Sequence, residues 1–411
     1  MKFGLIGEHL GHSFSPAIHE RLSGQPYELR ELAPSQLGDF LKNEPFRGIN
    51  VTIPYKQAVI PYLDALAPSA ELTGAVNAIV RESDGSLTGH NTDMDGFIAM
   101  ARHAGIDFEG ARVVILGAGG AAKAVGAAAR ILGAASVKNA VRAPKSAGQL
   151  PLHDPSLFAD AQIIVNATPV GMFPGVDGKL LDLSMFPHLR GVLDCIYNPI
   201  RTNLVLDAQE LGIPAEGGLR MLAAQAVRAS ELFRDCKIED SAIDDICSFL
   251  LRSRRNIVLC GMPSSGKSTI GKELAARLGT ELVDTDDLVR EEAGMEIPCI
   301  FERDGEEGFR ARESRAVAAA AQRQGVVIAT GGGAVMRPAN VRALKRSGLL
   351  CFIDRPLELL QATPDRPLSA DITSLGRLYD QRRPAYLSAA DIVVSNCGTV
   401  AEVVDKILAS C

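Results

Sequence analysis

The sequence predicts an α/β protein of two or three domains, with parallel sheets flanked by helices. Three observations predict it. Short β-branched runs, among them residues 112–116 and 257–260, are each followed by a helical stretch, as parallel sheets require. Two of these runs feed glycine-rich turns, GAGG from Gly117 and GMPSSGKS from Gly261, which differ in kind and are not copies of one another. At 411 residues the chain is long enough for each half to bury a core of its own.

Residues 2–7 (KFGLIG) open as a short strand, and the loop after it holds Ser13 and Ser15 before a helix starting near Ala17. Two serines two apart in an extended loop point the same way, which suits gripping a carboxylate or, on spacing alone, capping the helix. A strand running into Pro54 carries Thr52 and Lys56 to its carboxyl end, AVNAI presents Asn77, and GHNTD presents Asp93. A helix over residues 95–105 follows. Residues 111–133 then read as a buried strand, a turn with Gly117, Gly119 and Gly120, and an Ala-rich helix, the start of a dinucleotide-binding βαβ unit. The next strand, residues 136–141, ends at Arg142 with Lys145 close by, where NAD binders place an acidic residue; a cation there suits the 2′-phosphate of NADP. Two further strands end in NATPVGM, which holds Thr168, and DCIYNP, which holds Tyr197, and a helix around residues 221–233 carries Gln225. Residues 241–255 form one more helix, with Ser241 as N-cap, Asp244 and Asp245 at its positive end and Arg252, Arg254 and Arg255 at the other. No Pro-, Gly- or Ser-rich linker follows, so the halves are expected to join closely.

In the second half, Gly261 and Gly266 enclose four residues ahead of Lys267 and Ser268, the spacing of a phosphate-binding loop. Glycines let backbone N–H groups curl around phosphate oxygens, Lys267 reaches the β and γ phosphates, and the Ser268 hydroxyl takes a Mg²⁺. ELVDTDDLV is expected to end as a strand whose period of two puts Asp284 and Asp286 on one side, next to the metal. GEEGFRARE supplies Arg310. Three glycines, Gly331, Gly332 and Gly333, let a ligand approach the backbone after an apolar strand. Arg366-Pro-Leu is a candidate lid segment, and RRPAY supplies Arg382.

Through the ordered set SFSP, NVTIPYK, AVNAI, GHNTD, GAGGAAKA, NATPVGM, YNP and MLAAQA, the first 250 residues resemble shikimate dehydrogenase. The resemblance implies an α/β substrate lobe over residues 1–97, completed by helices within 216–250, and a Rossmann NADP lobe over 98–215. It implies that Ser13, Ser15 and Tyr197 hold the substrate carboxylate, that Thr52, Asn77, Asp93 and Gln225 hold ring hydroxyls, and that Lys56 and Asp93 are the catalytic pair. Gly117, Gly119, Gly120, Arg142 and Thr168 are the expected NADP contacts. From residue 256 on, the phosphate loop, Asp284-x-Asp286, the run ending at Glu313, the triple glycine, Arg366-Pro-Leu and Arg382-x-Pro-x-Tyr386 are similar to shikimate kinase. That resemblance implies a P-loop domain with a parallel sheet over 256–411. Gly261, Ser265, Gly266, Lys267, Ser268 and Thr269 would meet ATP, and Ser268 and Asp284 the Mg²⁺. Asp286, Arg310, Gly331, Gly332, Gly333 and Arg382 would meet shikimate, with Asp286, Lys267 and Arg366 in the chemistry. Together they imply a bifunctional enzyme using NADP(H), ATP and Mg²⁺, with 3-dehydroshikimate and shikimate as substrates. The alternative is a quinate/shikimate dehydrogenase fused to a kinase of another small polyol.

Composition excludes other classes. A net charge of −6 spread along the chain argues against a nucleic-acid partner. Eight cysteines with no C-x-x-C pair read as reduced thiols in the cytoplasm. The first ten residues hold too short an apolar run for a signal peptide, and no stretch of about 18 apolar residues occurs, so no membrane partner is expected. Nothing in the sequence sets the oligomeric state.

Overall fold

The computed structural model describes residues 1–11, 13–146, 148–361 and 372–410, which divide into two compact units, Met1–Ser248 and Phe249–Cys411. The division falls inside the helix Ser241–Arg254, which begins at Ser241. Ile243, Ile246 and Leu250 are buried along one stripe of it, as their spacing predicts.

In the first unit a mixed sheet runs in the order Glu28–Glu31, Phe3–Gly7, Gly48–Val51, Ala78–Arg81, Leu87–His90, Ala65–Leu66. Phe3–Gly7 is parallel to Gly48–Val51, while Ala78–Arg81 is antiparallel to both of its neighbours. The carboxyl ends of Gly48–Val51 and Leu87–His90 and the amino end of Ala78–Arg81 therefore share one edge. Thr52, Asn77 and Asp93 all leave the sheet there. Alternation along the strands splits the apolar side chains between two faces. Ile6, Ile49, Val51 and Ile79 pack with Leu37 and Leu41. Phe3, Leu5, Ala78 and Val80 pack with Ala229 and Phe233 of the helix Leu219–Arg234.

The second sheet of this unit is parallel throughout, in the order Ala215–Glu216, Gly191–Asp194, Ile163–Asn166, Arg112–Leu116, Ser136–Val141, Gln149–Pro151. Its first strand in sequence, Arg112–Leu116, has a later strand on each side, so the order reverses there. The crevice at the carboxyl ends of such a switch point is where open α/β sheets bind ligands. Ala122, Val125, Ala128 and Ala129 of the helix Gly120–Ile131 cover the sheet over Val113, Ile115, Ile163 and Val165. Helices Asp93–His103 and Leu219–Arg234 pack closely because Gly96 has no side chain; a Cβ there would stand 2.6 Å from the Met221 carbonyl oxygen. That contact brings Asp93 and Gln225 together.

The second unit holds a parallel sheet in the order Leu282–Asp284, Val327–Ala329, Asn256–Cys260, Gly348–Asp354, Ile392–Ser395. Ile257, Leu259, Val327, Cys351 and Ile353 face helices Lys267–Leu278 and Val400–Ala409, and Val258, Cys260, Ile328, Leu350 and Phe352 form the opposite core. One expectation is corrected. The strand stops at Asp284, which caps the helix Thr285–Ala293 by accepting the Asp286 N–H at 3.0 Å. Asp286 is thus in a first helical turn, and the two carboxylates do not share a strand face. The helical run Ile297–Ala321 breaks at Gly305, whose φ of 69° favours glycine.

Candidate active sites

Ser13, Ser15, Thr52, Lys56, Asn77, Asp93, Tyr197 and Gln225, named from separate motifs, all line one cavity of about 220 Å³ in the first unit. Ser15 is the first residue of the helix Ser15–Ser23 and so does not lie in an extended loop; its N–H donates to Ser13 Oγ at 3.2 Å. Phe14 is the N-cap and makes no side-chain cap bond, while Ser13 Oγ accepts the first helical N–H, so part of the capping reading holds for Ser13 and not for Ser15. Both serines face the cavity. At its centre Lys56 Nζ donates to Asp93 Oδ2 at 2.5 Å, with side chains 19% and 11% exposed. Asp93 opens a helix, and Asn91 Oδ1 accepts its N–H at 3.1 Å while Asn91 Nδ2 donates to the Ala75 carbonyl at 2.9 Å. Asn77 is held by Thr92, whose N–H it accepts at 2.7 Å, and Gln225 Nε2 donates to the Leu222 carbonyl at 2.9 Å. Burial pushes the Tyr197 phenol and the Cys195 thiol up.

The dinucleotide turn borders this cavity through Ala121. A Cβ on Gly120 would touch the Lys56 methylenes at 3.4 Å, so the lysine stem lies against the turn. Gly117, with φ 108°, faces the Thr168 γ-methyl and the Ala167 carbonyl at 3.1 Å from where its Cβ would be. Both residues lie at the switch point. Arg142 is exposed just beyond Val141. Arg220, in the first turn of the Gln225 helix, turns its guanidinium to Glu216 and Asp244 and does not line the cavity.

In the second unit the phosphate loop is formed. Gly261 and Gly266 have φ of 147° and 93°; a Cβ on Gly261 would meet the Ile353 carbonyl oxygen at 2.7 Å. Lys267 is buried, its ammonium on the Gly261 and Met262 carbonyls at 3.0 and 2.9 Å. Ser268 Oγ donates to Asp284 Oδ2 at 3.0 Å, and Thr269 follows in the same helix. The Ser265 hydroxyl is buried with no partner among the described residues. A hydroxyl and a carboxylate at a helix N-terminus fit Mg²⁺, which takes few protein ligands and keeps several waters. The glycine-lined cradle fits phosphate.

Beside it the triple glycine is crowded by charge. A Cβ on Gly331 would stand 2.6 Å from Asp286 Oδ1 and 2.7 Å from Glu313 Oε1, one on Gly332 would stand 3.4 Å from Arg382, and one on Gly333 would overlap Arg310. Arg310 and Glu313 pair at 2.7 Å with side chains 11% and 1% exposed. Burial pushes the Glu313 carboxyl up in spite of Arg310, with Asp286 adding to the rise, and burial lowers Arg382, with Arg310 adding to the fall. The Glu313 Oε1 atom is buried without a partner among the described residues. Tyr386 donates to the Gly332 carbonyl and so fixes the glycine turn. Arg366, and with it the candidate lid, lies outside the described residues.

Sequence reasoning missed several members. Asn50, Cys195 and Met221 line the first cavity, and Asn396 braces the phosphate loop by donating to the Ser265 carbonyl at 2.7 Å. Asn50 had a readable signal, a polar residue inside the otherwise apolar strand Gly48–Val51. Asn396 had none.

Comparison with known proteins bears on both units. A family model described as the shikimate dehydrogenase substrate binding domain matches residues 5–79, and one described as shikimate kinase matches residues 263–411. The chain is 38% identical to a shikimate dehydrogenase (NADP(+)) of Moorella thermoacetica, across 56% of this chain and 86% of that protein. It is 33% identical to one from Clostridium beijerinckii, across 60% and 96%. The crystal structure of shikimate 5-dehydrogenase from Thermus thermophilus in complex with NADP(H) and shikimate matches with a TM-score of 0.53 and 30% identity, over 61% of this chain and 99% of that one.

Proposed function

The chain belongs to the shikimate dehydrogenase family through its first unit and carries a shikimate kinase domain behind it; on that premise we propose that it catalyses two consecutive reactions. The first is NADPH-dependent reduction of 3-dehydroshikimate to shikimate. The second is ATP-dependent phosphorylation of shikimate to shikimate 3-phosphate. The observation that carries the reading is the Lys56–Asp93 pair at 2.5 Å, in a cavity lined by six further polar residues named from the motifs, with the lysine stem against the dinucleotide turn.

In the reductase, Ser13, Ser15 and Tyr197 hold the substrate carboxylate and Thr52, Asn77 and Gln225 the ring hydroxyls. As hydride reaches the carbonyl carbon, negative charge grows on the oxygen, and Lys56 supplies a proton there. Asp93 orients Lys56 and the adjacent hydroxyl. Gly117, Gly119 and Gly120 let the backbone approach the pyrophosphate, Thr168 flanks the turn, and Arg142 takes the 2′-phosphate.

In the kinase, Gly261, Ser265, Gly266, Lys267, Ser268 and Thr269 hold the ATP phosphates, and Ser268 and Asp284 hold Mg²⁺, which supplies charge neutralisation when bound. Arg310, Arg382 and the backbone of Gly331, Gly332 and Gly333 hold shikimate. Asp286 orients the attacking hydroxyl, and Lys267 and Arg366 offset charge on the group in transit. A cytoplasmic location is part of the proposal; among the described residues no cysteine is in a disulfide, and no helix is long and apolar enough to cross a membrane.

One reaction containing 3-dehydroshikimate, NADPH, ATP and Mg²⁺, followed for NADPH loss, ADP release and shikimate 3-phosphate, tests both halves. Loss of NADPH without ADP release removes the kinase assignment. Oxidation of NADPH that requires a different ketone removes the substrate assignment.

A further inference from the structure

We propose that Asp194 is a positioning residue of the reductase, a single buried carboxylate that sets the cofactor loop after Ile163–Asn166 and the substrate loop after Gly191–Asp194 in register. The proposal rests on the reading of the first site given above. Asp194 is 0% exposed and does not line the cavity. Its Oδ1 accepts from Asn166 Nδ2 at 3.0 Å and from the Ile196 N–H at 2.9 Å, and its Oδ2 accepts from Thr202 Oγ1 at 2.6 Å.

These donors lead to both ligands. Asn166 turns its own Oδ1 to Thr168, accepting the N–H at 2.9 Å and the hydroxyl at 2.8 Å. Thr168 lies against Gly117 of the dinucleotide turn. On the other side, Ile196 stands between Cys195 and Tyr197, both of which line the substrate cavity. The Ile196 carbonyl accepts the N–H of Gly218, the N-cap of the helix that carries Gln225, at 2.8 Å. One side chain therefore fixes the backbone that presents the cofactor contact and the backbone that presents the carboxylate contact.

The geometry asks for an ionised group. Three donors converge on Asp194, and a carboxylate is acceptor-only, whereas a protonated acid or an amide brings a donor of its own into a set of donors. At the Oδ2 position that donor meets the Thr202 hydroxyl, which must turn from donating to accepting, in competition with the Val205 N–H it already accepts at 3.4 Å, and the hold on the loop loosens. Burial pushes the carboxyl up to about 6 against the pull of Thr202, Ile196 and Asn166, so mild acid reaches it. The Cys195 thiol is its titratable neighbour and is itself held neutral by burial and by Asp194. A brace for the helix Asn203–Glu210 alone would use only the Thr202 contact, since Thr202 is that helix's N-cap.

The test is made on the full chain carrying Asp194→Asn, with NADPH and 3-dehydroshikimate varied separately between about pH 5 and about pH 8. At the upper end both KM values are expected to rise together by about 5- to 10-fold, with kcat changing less, and to stay flat as pH falls. In the wild type both KM values should climb as pH falls through about 6. A variant with both KM values within about twofold of wild type, or with only one of them moved, overturns the positioning role. Thr202→Val keeps the carboxylate and removes one donor, so it should move the onset of the wild-type KM rise to higher pH; an unmoved onset also overturns the proposal. A wild-type chain that reduces no 3-dehydroshikimate refutes the reading of the site itself, a result distinct from either of these.

Discussion

Each unit centres on a cation–carboxylate pair, and the two pairs are set in different surroundings. Lys56 and Asp93 are 2.5 Å apart with side chains 19% and 11% exposed, on the wall of a cavity. Arg310 and Glu313 are 2.7 Å apart with side chains 11% and 1% exposed, beside the crowded triple glycine. A pair that opens on a cavity has water or substrate to compensate for a lost partner, and its ions remain available to a reacting atom. In the second pair the carboxylate is shut inside protein while Arg310 is also proposed to hold the substrate, so removing Glu313 leaves a mostly buried cation with only the exposed Glu306 to compensate. Mutation of Lys56 should therefore register as rate and mutation of Glu313 as stability.

The largest expected effect tests the first half of that contrast. Lys56→Met should lower kcat for 3-dehydroshikimate reduction by about 10³-fold. Shikimate binding, the thermal midpoint and the kinase rate of the same chain should hardly move. Near-normal turnover in a variant that still binds shikimate would break the assignment. Glu313→Ala comes next, with an expected loss of about 3 kcal/mol from the second unit because Arg310 keeps only the exposed Glu306 at 3.3 Å. Denaturant unfolding reads this directly, and Asp93→Asn, which keeps a hydrogen bond to Lys56, is the control at below about 1 kcal/mol. Equal losses at the two sites would erase the distinction. Asp286→Asn should then lower the phosphorylation rate by about 10²-fold while reduction proceeds at the wild-type rate.

Acid sharpens the contrast from another side, because two strongly shifted groups of opposite sign lie in the first unit. Burial lowers the His19 imidazole to about 3, so the folded state binds fewer protons than the unfolded chain between about pH 3 and 6.5, and stability is lost as pH falls through that window. Asp194 is raised to about 6, so the folded state binds more protons between about 3.8 and 6, and stability is gained as pH falls. At pH 5 the two come to a loss of about 2 kcal/mol against a gain of about 1 kcal/mol. The wild type should be nearly flat from pH 7 to about 5. His19→Gln should become more stable over that range, and Asp194→Asn less stable. Thermal midpoints in a pH series check the signs, and parallel slopes in the three proteins would refute the compensation.

Much of the fold was legible because local spacing carried it. The glycine turns at Gly117 and Gly261 each follow a strand and open a helix, as expected. The eight cavity residues of the first unit were identified from motifs, but spacing alone did not bring them together; the antiparallel placement of Ala78–Arg81 gathers Thr52, Asn77 and Asp93 at one edge, and nothing within that strand announces its direction. The error at Asp286 has a local cause. Asp284 reads equally well as the end of a strand or as an N-cap, and its hydrogen bond to the Asp286 N–H decides for the cap. The Asp194 network was hidden because its members lie 28 and 8 residues apart in sequence, and each alone is a common polar residue.

Arg220 provides the smallest expected effect and calibrates the rest. Placed one residue before Met221, which lines the cavity, it stands where a long side chain invites concern for the cofactor. Its guanidinium is instead drawn to Glu216 at 3.8 Å and to Asp244, whose side chain is 66% exposed. An ion pair with so exposed a partner is screened by water and is worth about 0–1 kcal/mol. Arg220→Ala should accordingly shift stability by less than about 1 kcal/mol and leave the KM for NADPH within about twofold. A larger rise in that KM would mean the arginine leaves its carboxylates when cofactor binds. The Lys56–Asp93 pair would then share its cavity with a second cation, and the contrast between an open pair and a closed one would have to be redrawn around three charges.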